Sequence, residues 1–136
     1  MEARDLDVLA KLYLKAYSVS WSEELAKKYL KKFHDFEPAS CLVVVEADGQ
    51  PSAAILGYSF EKEHGLVLFI QELFVAPAAR NRGYGKKLVA ALRESFAKRP
   101  SHVDVKPLVK ADTSVLNFYN SLGFERDKAV TFSFDV

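Results

Sequence analysis

Phe74-Val75-Ala76-Pro77-Ala78-Ala79-Arg80-Asn81-Arg82-Gly83-Tyr84-Gly85-Lys86-Lys87 joins an apolar stretch to a helical one through a loop with two glycines and four basic side chains. Working outward from it, Leu66 to Val75 is nearly all apolar, rich in β-branched and aromatic residues, and bounded by Gly65 and Pro77, so it reads as a buried strand. On the other side Leu88, Val89, Leu92 and Phe96 recur at helical spacing, with Lys86, Lys87, Arg93, Glu94 and Lys98 on the opposite face. The loop therefore opens a helix, where backbone N–H groups lack partners and the helix dipole is positive. Glycine at 83 and 85 permits turn conformations closed to other residues and close approach of a ligand to the backbone. A phosphate fits such a place, with Arg80, Arg82, Lys86 and Lys87 as charge-assisted donors. The competing reading is a surface loop with solvated basic side chains. A P-loop would need Ser or Thr where Lys87 stands, and a dinucleotide fingerprint a third glycine where Leu88 stands, although Asp104 falls near the place of a ribose-binding acid.

The chain has 136 residues, the size of one domain (1–136) with a core that needs no disulfide or metal. Nineteen basic against eighteen acidic side chains leave a net charge of +1, so no global field recruits nucleic acid and the basic loop is a local feature. Cys41 is the single cysteine, which excludes an internal disulfide and fits a reducing compartment; lying in an apolar strand, it is expected to be buried and inert. His34, His64 and His102 have no metal-site spacing, and no metal is expected. The charged start Met1-Glu2-Ala3-Arg4-Asp5 leads into no apolar signal segment, and no long apolar run suggests a membrane span, so a cytoplasmic location is expected.

Asp5 to Tyr17 reads as a first helix through Leu6, Leu9, Leu12, Tyr13 and Ala16. A second begins near Ser20-Trp21-Ser22-Glu23, where Ser20 followed by Glu23 makes a capping-box pattern, and runs through Leu25, Tyr29 and Phe33. Ser40 to Ala47 and Ser52 to Phe60 flank the hairpin signal Asp48-Gly49, and Gly65 turns the chain into the long strand. After the helix from Gly85 to about Lys98, Val103 to Val109 reads as a strand, Thr113 to Leu122 as a helix closed by Gly123, and Thr131 to Val136 as a last strand. This order gives a mixed α/β sheet, mostly antiparallel, with helices on both faces.

Two blocks on these elements carry a resemblance. Arg80-x-x-Gly83-x-Gly85, preceded by a hydrophobic strand and Val75-x-Pro77, is similar to the pyrophosphate loop of the GCN5-related N-acetyltransferase family. Asp112-x-x-Val115-x-x-Phe118-Tyr119-x-x-x-Gly123-Phe124 resembles that family's Asn-x-x-Ala-x-x-x-Tyr-x-x-x-Gly-Phe block. The resemblance covers nearly the whole chain and implies transfer of an acetyl group from acetyl-CoA to a primary amine, small or peptidic, by direct attack in a ternary complex. It departs from the family twice. The strand that normally precedes the first helix is missing, which leaves an edge that a neighbouring copy could pair, so a homodimer is compatible. Asp112 stands for the usual Asn and cannot donate as an amide does.

By the resemblance, Arg80, Asn81, Arg82, Gly83, Tyr84, Gly85, Lys86 and Lys87 hold the coenzyme's pyrophosphate, Asp112 and Asn117 contact its arm, and the strand at Phe74 and Val75 takes that arm like an added strand. A bulge there would free the amide of Phe74 or Val75 for the thioester carbonyl, a donor worth about 3 kcal/mol in a transition state. Tyr119 is the candidate general acid for the departing thiolate; Leu116, Tyr119 and Leu122 also share helical spacing, which suits a core position equally. Glu72, the only acid on the central strand, is the candidate base, against a structural ion pair; Gln71 stands where family members often carry the acid and would position water or substrate. Strand alternation would put the two on opposite faces unless a bulge resets them. Tyr17, Trp21, Tyr29, Phe33 and Phe36 crowd the expected acceptor region, most of them readable as core. Two alternatives stay open: a non-catalytic acyl-CoA sensor and a dinucleotide-binding protein.

Overall fold

A computed structural model describes residues 1–135. Helix α1 (Leu6–Tyr17) follows a single 3-10 turn and packs beside α2 (Glu23–Phe36); β1 (Cys41–Val45), β2 (Pro51–Lys62) and β3 (Gly65–Val75) then run as an antiparallel meander. Helix α3 (Tyr84–Ala97) crosses to β4 (His102–Pro107), which pairs parallel to β3, and α4 (Thr113–Ser121) follows. The sheet order among the described residues is β1-β2-β3-β4.

Each face of the sheet closes its own core. Leu6, Leu9, Ala10, Leu12 and Tyr13 of α1 and Ala26 and Leu30 of α2 meet Cys41, Ala54, Leu56 and Phe74 on one side. Leu88, Val89, Leu92 and Phe96 of α3, with Tyr119 of α4, meet Ala53, Ile55, Leu66, Leu68 and Ile70 on the other. A strand covered on both faces needs apolar residues at consecutive positions, and Ala53 to Leu56 in β2 are all fully buried. Cys41 lies in the first core, where burial pushes its thiol up to about 11, so little thiolate exists at neutral pH.

The sequence-based boundaries need three corrections. Helix α2 is capped by Ser22, whose extended backbone lets its Oγ accept from the Leu25 N–H at 3.1 Å; the Ser20–Glu23 box does not form. The strand expected to reach Val109 ends at Pro107, which has no N–H for a ladder. Thr131 to Asp135 form no strand, and Val136 lies outside the described residues. Val130, Phe132 and Phe134 alternate as a strand should, yet are 75%, 91% and 87% exposed; a period-two pattern makes a strand only where a neighbouring strand and a packed face receive it. Among the described residues β1 pairs only with β2, and the Met1 ammonium donates to the Cys41 carbonyl at 3.4 Å.

Candidate active site

The site begins with one extra residue. Along β3 and β2, Glu72 pairs with Leu56 and Ile70 with Gly57, so Gln71 is a bulge with no opposite number. Before it, Leu66, Leu68 and Ile70 face the α3 core; after it, Phe74 faces the α1 core. At the bulge two successive side chains share the α1/α2 face. The Tyr58 hydroxyl donates to Gln71 Oε1 at 3.2 Å and the Tyr29 hydroxyl to Glu72 Oε2 at 2.8 Å. Alternation alone would have separated them.

The bulge also parts the sheet. Pairing of β3 with β4 stops at Ile70 and Pro107, apart from the Leu108 N–H that donates to the Ile70 carbonyl at 2.9 Å. From Glu72 to Val75, β3 pairs with β2 alone, and from Gln71 onward its other edge is open. The Tyr17 hydroxyl donates to the Leu73 carbonyl at 2.9 Å, while the Ala76 N–H donates toward β2, to the Ser52 carbonyl, at 2.7 Å. In an antiparallel ladder a residue sends both its backbone groups the same way, and neighbours alternate. Leu73 and Val75 therefore aim their N–H groups into the gap, and Phe74 aims its own at β2. The Phe74 ring is buried against Tyr13 and Tyr17, with ring centroids 5.4 and 6.1 Å away.

Glu72 is half-buried and makes no salt bridge with any described residue. Burial raises its pKa, and the hydrogen bond from Tyr29, with the neighbouring Tyr17 hydroxyl and the more distant charge of Lys110, only partly offsets this. Both tyrosines are held protonated in return: burial and the adjacent carboxylate push their hydroxyls far above the usual phenol value. Tyr17 and Tyr29 were readable in the sequence only as aromatic residues at helical spacing. Their polar function emerges once the bulge turns Glu72 toward them.

Tyr119 enters from the other side of the gap. Its ring belongs to the α3 core and meets Phe118 and Phe124 edge-on at 5.0 and 5.6 Å. Burial first, and the Glu72 charge second, push its hydroxyl up to about 12. The hydroxyl is not among the buried orphans; Ser52 Oγ is the only such side-chain atom among the described residues. A core ring and an available hydroxyl thus coexist in one residue.

At the mouth of the gap stands the glycine loop. Asn81 and Gly83 take left-handed backbone (φ 66° and 76°), and Gly83 caps α3 without any side-chain bond. The Lys87 N–H donates back to the Gly83 carbonyl at 3.1 Å and starts the helical ladder, so the Tyr84, Gly85 and Lys86 N–H groups precede it without intrahelical acceptors. Nothing stands within 4 Å of a Cβ built on Gly83, whereas one on Gly85 would meet Phe118 Cζ at 3.3 Å; the first glycine faces open space and the second lets α4 approach α3. Two of the four cations brace the loop: Arg80 donates to the Ala16 carbonyl at 3.2 Å and Arg82 to Glu46 at 3.1 Å, with the Tyr84 hydroxyl on the same carboxylate. Asn81, Lys86 and Lys87 are exposed. Asp112 caps α4, accepting from the Ser114 and Val115 N–H groups at 2.9 and 3.4 Å and from the Ser114 hydroxyl, which holds its carboxyl below the usual range. Asn117 is exposed on α4. Among the described residues no group of His, Cys, Asp and Glu side chains converges as metal ligands would.

A sheet split beside a bulge, with a helix N-terminus at its mouth, defines an acyltransferase-type fold. Residues 6–124 match the family described as "Acetyltransferase (GNAT) family", and the chain belongs to it. Among solved structures it is similar to a possible acetyltransferase from Clostridium difficile 630 (18% identity, 100% of this chain and 94% of that one, TM-score 0.82). It is also similar to an aminoglycoside N-acetyltransferase, AAC(6')-Iy, in complex with CoA (17%, 99% and 91%, TM-score 0.79). A third is the ribosomal-protein-alanine N-acetyltransferase from Brucella melitensis biovar Abortus 2308 (13%, 100% and 96%, TM-score 0.78). No curated protein sequence matches.

Proposed function

We propose that the chain transfers the acetyl group of acetyl-CoA to a primary amine, in one ternary complex. The observation that carries this is the open edge of β3 from Gln71 to Val75, which runs from the N-terminus of α3 to Glu72 and lies between Tyr17 and Tyr119. The pyrophosphate sits on the Tyr84, Gly85 and Lys86 amides, with Lys86 and Lys87 as its free cations. The pantetheine arm pairs with the edge at Val75 and Leu73, the position an added strand would take. The outward N–H of Leu73 or Val75 meets the thioester oxygen, so Phe74 contributes its buried ring and Val75 its amide.

Glu72 takes a proton from the substrate ammonium, directly or through water held by Gln71, and the freed nitrogen lone pair attacks the thioester carbon. The C–N bond forms, the C–S bond breaks with its electron pair leaving on sulfur, and the nitrogen, positively charged after attack, gives its second proton to water to leave a neutral amide. Tyr119 donates a hydrogen bond from its hydroxyl to that sulfur, and the thiolate takes its proton from water. A free thiol titrates near ~8.5 and Tyr119 near 12, so hydrogen bonding to the thiolate outweighs complete proton transfer in its contribution. The test pairs thermal shift with mass spectrometry. Acetyl-CoA is expected to raise Tm while NAD leaves it unchanged, and an amine panel is expected to yield an acetylated product; stabilisation by NAD instead, or coenzyme binding with no amine acetylated, would replace this reading with the dinucleotide or sensor alternative.

A further inference from the structure

From Glu72 a continuous line of rings runs along α2 and β2, besides the Tyr13, Tyr17 and Phe74 rings on its other side. Trp21 stands edge-on to Tyr29 at 5.6 Å, Tyr29 to Phe33 at 5.2 Å, Phe33 stacks on Tyr58 at 6.1 Å, and Phe60 joins Tyr58 at 5.5 Å and Phe36 at 5.4 Å. Trp21, Phe36 and Phe60 are exposed, an unusual use of large apolar rings unless something covers them. The line leads from the bulge toward the β2–β3 hairpin, away from the glycine loop, and so leaves the coenzyme's end of the gap clear.

Lys32 lies on α2 one turn from both Tyr29 and Phe36, and the charges at the two ends of the rings are of opposite sign. Glu72 is a half-buried carboxylate hydrogen-bonded by Tyr29 and in no salt bridge with a described residue, with Lys110 acting on it from farther off. At the other end Lys62 holds its ammonium 5.9 Å from the Phe69 ring, which itself stacks on Tyr58. Glu61, between Phe60 and Lys62, falls on the opposite face by alternation. One negative site, a stretch of aromatic surface and then a positive charge make a receptor for a single cation with an apolar tail. A polycation with one ammonium on Glu72 would carry its further charges past Lys32 toward Lys62.

We propose that the acceptor is a primary monoamine with an apolar body, its ammonium held by Glu72 against the Trp21 and Tyr29 rings and its body lying along Phe33 and Tyr58. This rests on the acetyltransferase reading for its consequence, since the same contact delivers the amine to the base. Aromatic faces attract an ammonium most when it is partly desolvated, and the carboxylate adds charge-assisted hydrogen bonds. Long polyamines and multiply charged amino sugars are disfavoured by the same geometry.

Trp21 is the only tryptophan in the chain, so its fluorescence reads this site directly and without coenzyme. Titration with 2-phenylethylamine is expected to give a saturable change, with spermidine binding about tenfold more weakly or worse and Glu72→Gln weakening 2-phenylethylamine about tenfold. Lys62→Glu, at an exposed position, is expected to tighten spermidine by more than it changes 2-phenylethylamine, and keeps the test decisive if Glu72→Gln misfolds. Spermidine binding as tightly as 2-phenylethylamine, or no saturable response to either amine, would overturn the proposal. Amine binding without acetylated product in the presence of acetyl-CoA would leave this subsite standing and remove the transferase reading.

Discussion

At Glu72 stability and chemistry pull in opposite directions. Burial raises the pKa of this carboxyl above its unfolded value, so the folded state holds the proton more tightly than the unfolded chain. Its contribution is therefore favourable below the unfolded pKa and is lost as pH rises through the folded one, leaving a penalty at neutral pH. Glu72→Gln removes that penalty and keeps an acceptor for the Tyr29 hydroxyl. We expect its Tm to exceed that of the parent at pH 7.5, with the difference shrinking toward pH 4, while acetyl transfer is lost; a lower Tm at pH 7.5 would show that the carboxylate stabilises the fold. The parent's rate should fall as pH drops through the raised pKa, because the base must be ionised. Tyr119 belongs to the same scale. Positioned acids contribute roughly 10²- to 10⁴-fold, and a hydroxyl pushed up by burial is a poor proton donor, so Tyr119→Phe should cost about 10²-fold in kcat with Tm nearly unchanged, since the ring remains. A rate within twofold of the parent would assign Tyr119 to the core alone.

Among the elements, two devices set the geometry, a cap and a bulge. Ser22, not Ser20, accepts the Leu25 N–H, so Ser22→Ala should lower stability by about 1 kcal/mol and Ser20→Ala by much less, read from the midpoints of urea unfolding. The sequence contained both serines and favoured the wrong one, because a cap depends on the backbone angles of one residue, which a spacing rule does not specify. The strand-to-helix loop and the apolar faces of the helices were legible because their periodicity is local. The bulge was not: Gln71 and Glu72 look like any pair on a strand, and their shared face follows from the pairing of β3 with β2 and β4 at a distance in the chain. The exposed tail failed for the same reason in reverse, an alternating pattern without a receiving edge. Hydrogen exchange reads the bulge directly. The amides of Leu73 and Val75 should exchange rapidly alone and slow when acetyl-CoA is added, whereas that of Phe74 should be slow in both states. Equal protection of all three without ligand would mean that the gap between β3 and β4 is closed.

Across the whole molecule, stability resides in the two faces of one sheet, and the described residues after Phe124 add nothing to either core. Among the described residues their side-chain tie to the body is Asp127 to Lys106 at 2.8 Å, on the surface, where such a pair is worth about 0–1 kcal/mol. Val130, Phe132 and Phe134 are therefore carried as apolar surface, not as packing. Replacing all three by serine should leave Tm within about 1 °C, because no buried area is lost. The same replacement should reduce self-association, because exposed apolar side chains in a row favour contact between copies. Scanning calorimetry at two protein concentrations separates the outcomes. A Tm that falls on substitution and, in the parent, climbs with concentration would mean that these side chains are buried against another copy in solution; a Tm independent of both leaves the sheet and its two helical layers as the whole of the cooperative unit.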